Sequence, residues 1–430
     1  MNILMMTNTY TPIVGGLEKS IESFTKEYRK RGHRVMVVAP TFKEMPTNEL
    51  DVIRVPSFQD FKGTDFSVKL PIPGLLNDAF EEFKPDIVHS HHPFLMGDTA
   101  LRVAYQLNIP LVYTNHTLFT YNTHYVSDSE IIKRFVVQLS AGYAKLADQV
   151  FVPSVGVGDL LRQQGVESPI AVVPSGVDTA QFLKGDPKNI RDKFGISNTA
   201  YVVGYAGRLA PEKNLEFLAR GVCRFLQAKE DACFLVAGKG PSEEIISDIF
   251  KAEGLAHRLF FTGVLAPEEL ADAFHAMDVF SFASKSETQG IVLIEAMAAG
   301  VPVLALDACG VHDLIDHGVN GILLNQEDEQ EFAQALSDLA KLPQEKREAM
   351  SQAALATAAR YSMDICAEKA LSVYESVVKQ KLNHHQDRGY VWGDSVWAQT
   401  LRQLHAEWDL VKNMTKAAAS AVTNRKTDAE

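Results

Sequence analysis

The chain has 430 residues, too many for one hydrophobic core, so two or three domains are expected. Its 46% hydrophobic and 22% charged residues describe a folding sequence, not a disordered one. The formal charge of -12 argues against a nucleic-acid partner; Met1–Ile170 carries 16 Lys+Arg against 18 Asp+Glu, a net of -2, which leaves -10 for the remainder.

Asn2–Thr7 reads as a strand, Glu18–Arg31 as a helix closed by Gly32, and Arg34–Ala39 as the next strand. Asp86–Ser90 and Leu111–Asn115 are strands separated by a helical Thr99–Leu107, and Gln149–Pro153 and Ile170–Pro174 continue the series. The pattern restarts after the polar stretch Asp186–Thr199. Tyr201–Ala206, Cys233–Ala237, Leu259–Thr262, Val279–Ala283, Pro302–Ala305 and Gly321–Leu324 are strands. Leu215–Lys229, Glu243–Glu253, Pro267–Ala276 and Leu293–Ala299 are helices among them. This alternation predicts an α/β protein with two doubly wound, Rossmann-like domains in tandem and a hinge near Pro174–Phe182. Ligands of such sheets bind at the carboxyl ends of the strands, and a cleft between two such domains is a natural site. The expected borders are 1–178, 179–362 and, for a C-terminal helical extension packing back toward the first domain, 363–430.

Asp364–Lys379 is helical in pattern. A second pattern carries Trp397, Leu401, Leu404, Trp408 and Val411 at three- and four-residue steps. All three tryptophans (Trp392, Trp397, Trp408) lie here. The spacing predicts an amphipathic helix packed on a domain surface; an interfacial helix at a membrane is the other reading. From about Ala417 the tail reads as disordered. Cys223, Cys233, Cys309 and Cys366 form no Cys-x-x-Cys pair, which fits a reducing compartment. No signal peptide and no run of 18 uninterrupted apolar residues is seen, so any membrane contact is expected to be peripheral.

Four clusters carry chemistry. Gly15 and Gly16 follow the first strand and open a helix, where backbone approaches a ligand closely and an anion is favoured; the glycine pattern of a dinucleotide fingerprint is absent. Arg208 and Lys213 bracket the start of a helix after the first strand of the second domain. Two cations there oppose the helix dipole unless they serve a ligand such as a diphosphate. His116 ends a first-domain strand and is suited to a hydroxyl or a leaving-group charge, with a backbone-bonded structural His as the alternative. His89, His91 and His92 end the preceding strand at a spacing that matches no metal motif, so no metal site is assigned. Glu287 and Glu295, eight positions apart around a helix start at Gly290, could aim two carboxylates and backbone N–H groups at one polyhydroxylated ligand.

Taken together, Gly15-Gly16, His116, Gly207-Arg208 with Lys213, Ala237–Pro241, Phe261–Gly263 and Glu287 through Glu295 resemble the family 4 retaining glycosyltransferases of the GT-B fold, over Met1 to about Val377. The resemblance implies a nucleotide-sugar donor, UDP-hexose foremost. Arg208 and Lys213 would take its diphosphate, Glu295 the ribose, and Glu287 with the backbone of Thr288, Gln289 and Gly290 the hexose. Gly15, Gly16, Gly263 and Val264 would complete donor binding, and His116 would contact the sugar. His116, Glu287, Arg208 and Lys213 are the residues implied in catalysis. Glu287-Thr288-Gln289-Gly290, and His116-Thr117 followed by Tyr121 and His124-Tyr125-Val126, look like the bacterial diacylglycerol glucosyltransferases. A lipid acceptor would suit the amphipathic stretch Ile131–Leu139, which equally suits a core helix.

The implied enzyme is cytoplasmic or peripheral on the inner face of the cytoplasmic membrane. It requires no cofactor, with Mg2+ as a stimulant at most. Three alternatives stay open: a soluble or polysaccharide acceptor, a nucleotide-sugar epimerase, and a non-catalytic sugar- or lipid-binding protein.

Overall fold

The computed structural model describes residues 1–13, 15–42, 45–58, 68–69, 76–119, 129–387 and 396–423. Val14, Tyr121, His124, Tyr125, Val126 and Trp392 lie outside them. The chain forms two compact units. Unit 1 is Met1–Pro174 together with Cys366–Glu430, and unit 2 is Ser175–Ile365. The two crossing segments are laced together inside unit 2. Val177 N donates to Tyr361 O at 2.9 Å, and Met363 N donates to Val177 O at 2.9 Å.

Unit 1 holds a parallel sheet. Its strands are β1 (Asn2–Met6), β2 (Arg34–Pro40), β3 (Val52–Val55), β6 (Ile87–Ser90), β7 (Leu111–Thr114), β8 (Gln149–Val152) and β9 (Ile170–Val172), in the order β3-β2-β1-β6-β7-β8-β9. A separate two-residue ribbon pairs β4 (Ser57–Phe58) with β5 (Val68–Lys69). The central strands are buried on both faces, as runs such as Ile3-Leu4-Met5-Met6 dictate once helices cover both sides. Among those helices are α1 (Gly16–Lys30), α2 (Asn77–Phe83), α3 (Met96–Leu107), α4 (Glu130–Ala144) and α5 (Val155–Gln163).

Unit 2 repeats the plan. Strands β10 (Tyr201–Ala206), β11 (Ala232–Ala237), β12 (Leu259–Gly263), β13 (Val279–Phe282), β14 (Val303–Leu306) and β15 (Gly321–Leu324) order as β12-β11-β10-β13-β14-β15. Its helices are α6 (Thr179–Phe182), α7 (Pro187–Phe194), α8 (Leu215–Ala228), α9 (Glu243–Ala252), α10 (Pro267–His275), α11 (Ile291–Ala298), α12 (Glu329–Ala340) and α13 (Gln344–Arg360). The polar stretch from Asp186 is thus partly helical. Asp186 caps α7 by accepting from Lys188 N at 3.0 Å, Pro187 opens it, and Ile190 and Arg191 are its buried side.

The chain returns to unit 1 through α14 (Met363–Asp387) and ends in α15 (Val396–Thr423). Tyr374 of α14 is fully buried, and its hydroxyl is hydrogen-bonded to His89 Nδ1 at 2.5 Å. Helix α15 lies against α3 and α4. The seating face is not the apolar stripe that spacing singles out. Ala406, Leu410, Asn413, Ala417 and Ala421 are buried, whereas Leu401, Leu404, Trp408 and Val411 are exposed. Small residues allow the close approach that makes this possible. A Cβ on Gly142 of α4 would sit 1.7 Å from Asn413 Oδ1, and Asn413 Nδ2 donates to Leu139 O at 3.1 Å. The tail expected to disorder from Ala417 stays helical to Thr423, because Ala417 and Ala421 pack. Among the described residues no helix is long and apolar enough to cross a membrane. In the stretch Ile131–Leu139 both expectations find residues: Val136 is buried, while Ile131 and Ile132 are exposed.

Candidate functional site

In both sheets the strand order reverses beside the first strand, between β1 and β6 and between β10 and β13. Loops leaving the carboxyl ends of two such strands diverge to opposite faces and open a crevice. In unit 2 the loop after β10 carries Arg208 and Lys213, and the loop after β13 carries Glu287 through Gly290. The two expected cations and one expected acid therefore arise from adjacent strands.

These loops are tied together. Lys213 Nζ donates to Glu287 Oε1 at 2.6 Å. Ser284 Oγ donates to Glu212 O at 3.3 Å, and Asn214 Nδ2 donates to Ala283 O at 3.4 Å and to Glu327 Oε1 at 2.8 Å. Tyr205 OH donates to Arg208 O at 3.2 Å, fixing the root of the loop. The side chains of Lys213 and Glu287 are only 22% and 17% exposed, so their pair is stronger than a surface one. Arg208 is 62% exposed and leans on Glu212, with Nη2 2.5 Å from Oε1. Its guanidinium reaches into solvent.

The Glu287 loop is braced from behind. A Cβ on Gly310 would lie 2.2 Å from the carbonyl carbon of Thr288 and 2.3 Å from Gln289 N, so only glycine lets these two backbones touch. Gln289 is buried, and its amide is spent on backbone: Ser175 N donates to Oε1 at 2.7 Å and Nε2 donates to Ser175 O at 2.9 Å. Its side chain is therefore a staple to the first residue of unit 2, a role that no spacing argument reveals. Gly290 caps α11, and Glu295 sits in its second turn, half-buried. Gly263 ends β12, and its carbonyl accepts from Gly238 N at 2.8 Å; Val264, next to it, is 75% exposed. A concavity of unit 2 lined by Val319, Ile322, Leu339 and Met350 among others contains none of these residues and lies beside the edge strand β15.

In unit 1, Gly15 is the N-cap of α1 and Gly16 its first residue. The carboxylate of Glu18 folds back over Gly15, where a Cβ would lie 2.4 Å from Oε2. His116 follows β7 and His91 follows β6, and their rings stack with centroids 5.2 Å apart. His91 Nδ1 and His116 Nε2 are 3.0 Å apart, so one of them carries the shared proton. His91 Nε2 is buried with no hydrogen-bond partner among the described residues. A buried lone pair costs less there than a buried orphan N–H, which places the proton on His91 Nδ1. His116 then carries its own proton on Nδ1. Burial pushes His116 down to about 4, and burial first, then neighbouring histidines, holds His91 well below the ordinary range. Both rings are neutral near pH 7. His89 is bonded to Thr114 Oγ1 at 2.6 Å and to Tyr374, and His92 Nδ1 accepts from Asn8 N at 3.1 Å. These bonds use the cluster as scaffold. The contribution of Tyr374, 285 positions from His89, carries no local sequence signal.

Comparison with known proteins agrees with the two-domain fold. Residues 186–357 match the family model "Glycosyl transferases group 1", and residues 14–181 match "Glycosyltransferase Family 4". The alpha-monoglucosyldiacylglycerol synthase of Streptococcus pneumoniae is 30% identical over 332 residues, 75% of each chain. A GDP-mannose-dependent alpha-mannosyltransferase of Corynebacterium glutamicum is 28% identical over 79% of this chain and 80% of its own. Among solved structures, Anabaena Alr3699/HepE in complex with UDP superposes with a TM-score of 0.70 at 22% identity, covering 87% of this chain and 100% of that one.

Proposed function

Since the chain belongs to the group 1 and family 4 glycosyltransferases of the GT-B fold, which act on nucleotide sugars, we propose a retaining hexosyltransferase that moves glucose from UDP-glucose to a membrane lipid, diacylglycerol foremost. The observation that carries this reading is the Lys213–Glu287 pair at the switch point of the second sheet, with Glu295 one turn into the helix that follows. In the resting site each partner neutralises the other. When donor enters, Lys213 exchanges the carboxylate for diphosphate oxygens, and Glu287 is released to accept from hexose hydroxyls. Arg208 swings from Glu212 onto the same diphosphate. Glu295 accepts from the ribose, and His116 donates from Nδ1 to the sugar.

The bond between the anomeric carbon and the diphosphate oxygen breaks as the acceptor hydroxyl approaches on the same face. The departing diphosphate takes the hydroxyl proton, so configuration is retained without a covalent sugar–enzyme intermediate. Two cations and a helix N-terminus aimed at the leaving group supply the main stabilisation. Transfer is therefore expected in the presence of a chelator, with Mg2+ acting as a stimulant only. A lipid acceptor implies work at the inner face of the cytoplasmic membrane.

The test is incubation of labelled UDP-glucose with diacylglycerol vesicles and chelator, followed by lipid extraction. Label in the organic phase with an α linkage by NMR is expected. Label found only on soluble acceptors would remove the lipid. Absence of both nucleotide-sugar binding and UDP release would remove the transferase reading. GDP-mannose is the second donor to run, because mannosyltransferases using it are nearly as similar as the glucosyl enzymes.

A further inference from the structure

We propose that the outer face of α15 is a membrane-docking surface that takes an anionic bilayer. At 100° per residue, Leu401, Leu404, Trp408, Val411 and Val422 fall within a sector of about 80°. All five are exposed, Trp408 at 66% and Val422 at 61%. The stripe runs about 30 Å along the helix axis. A soluble surface seldom lines up that much apolar area, and a Trp within it suits the boundary between headgroup and acyl chain.

The charges are sorted. Glu407 is bound by Arg102 through two contacts, at 2.5 and 3.1 Å, and Asp409 accepts from Tyr105 OH at 2.8 Å, so both acids are turned onto α3. Lys412 and Lys416 lie along one border of the stripe, exposed and with no carboxylate partner among the described residues, and Met414, also exposed, lies beyond the other. The helix is thus seated by one face, neutralised at its acids, and presents apolar groups with cations along one edge. That is the charge and hydropathy order of a helix lying in an interface. The net charge of -12 does not oppose this, because charges elsewhere on the chain are screened beyond about 10 Å. A bilayer is favoured over a second copy of the chain. The face is a single narrow stripe whose charged edge carries only lysines, which complements anionic headgroups and not a second copy of itself.

The proposal is independent of donor chemistry but rests on the lipid-acceptor reading for its purpose. It is tested by flotation of the full-length protein with phosphatidylcholine vesicles, with and without phosphatidylglycerol. Wild type should float with anionic vesicles. The pair Leu404→Ser and Trp408→Ser should lower the partition coefficient about tenfold or more, and Lys412→Glu with Lys416→Glu should abolish the anionic preference. All four side chains are exposed, so UDP-glucose binding and Tm should be unchanged. Equal flotation of wild type and the Ser pair overturns the proposal. So does a dimer, seen by sedimentation velocity, that the Ser pair dissolves while vesicles are ignored. If detergent-dispersed diacylglycerol is glucosylated but no variant changes vesicle binding, the docking surface falls and the acceptor reading stands. If vesicles bind through the stripe but no lipid product forms, the acceptor reading falls and the docking surface stands.

Discussion

Lys213 and Glu287 hold each other at 2.6 Å in a partly buried pair, so removing either exposes the other to an unbalanced site. On the proposed mechanism Lys213→Ala should lower kcat by about a hundredfold, since it would remove charge that a departing diphosphate needs most in the transition state. Glu287→Ala should likewise act chiefly on kcat, whereas Glu295→Ala should chiefly raise KM for the donor. Steady-state kinetics with varied donor separate these. Gln289→Leu is a different case. It strands the Ser175 N–H and should cost about 1–3 kcal/mol of unit 2 stability, read from urea midpoints. The two glutamates and two cations are visible in sequence because acids and bases around helix starts follow known electrostatic rules. The staple at Gln289 is invisible, because its partner is backbone 114 positions away.

The elements of the sheets are read from apolar runs, and strands such as Tyr201–Ala206 are recovered with the bounds that the sequence suggests. Helix α7 is missed because its buried side is small, although its Asp-Pro start is a legible signal. Helix α15 is recovered as a helix but its seating is inverted. Spacing weighs large apolar residues and ignores alanines, and it is the alanines that face α3 and α4. The contact between Gly142 and Asn413 supplies a test. Gly142→Val should push α15 off α4, raising proteolysis between α14 and α15 while leaving nucleotide-sugar binding intact. If cleavage of the variant matches wild type, α15 is not held at that contact.

At the scale of the molecule, the buried His89 and His91 and the half-buried His116 stand neutral together, and all three are held below the ordinary imidazole range by desolvation first. Charging is easier in the unfolded chain, so the unfolded state binds more protons between about pH 6.5 and 4. Stability is therefore full above 6.5 and falls as pH drops through that window, by up to about 3 kcal/mol from His116 alone. Urea titrations at stepped pH should show this slope, and His116→Asn should flatten it. Unit 1 is built from both ends of the chain, and the Tyr374 hydroxyl that bonds His89 arrives late in the sequence. This discontinuity has a consequence for synthesis. Nascent chains generally fold from the N-terminus. Here unit 2 is complete once Ile365 clears the ribosome, while the first 174 residues still wait for the last 65. Unit 2 should thus become protease-resistant on stalled ribosomes before the N-terminal unit does, and the earlier-made half of the chain is the later to mature.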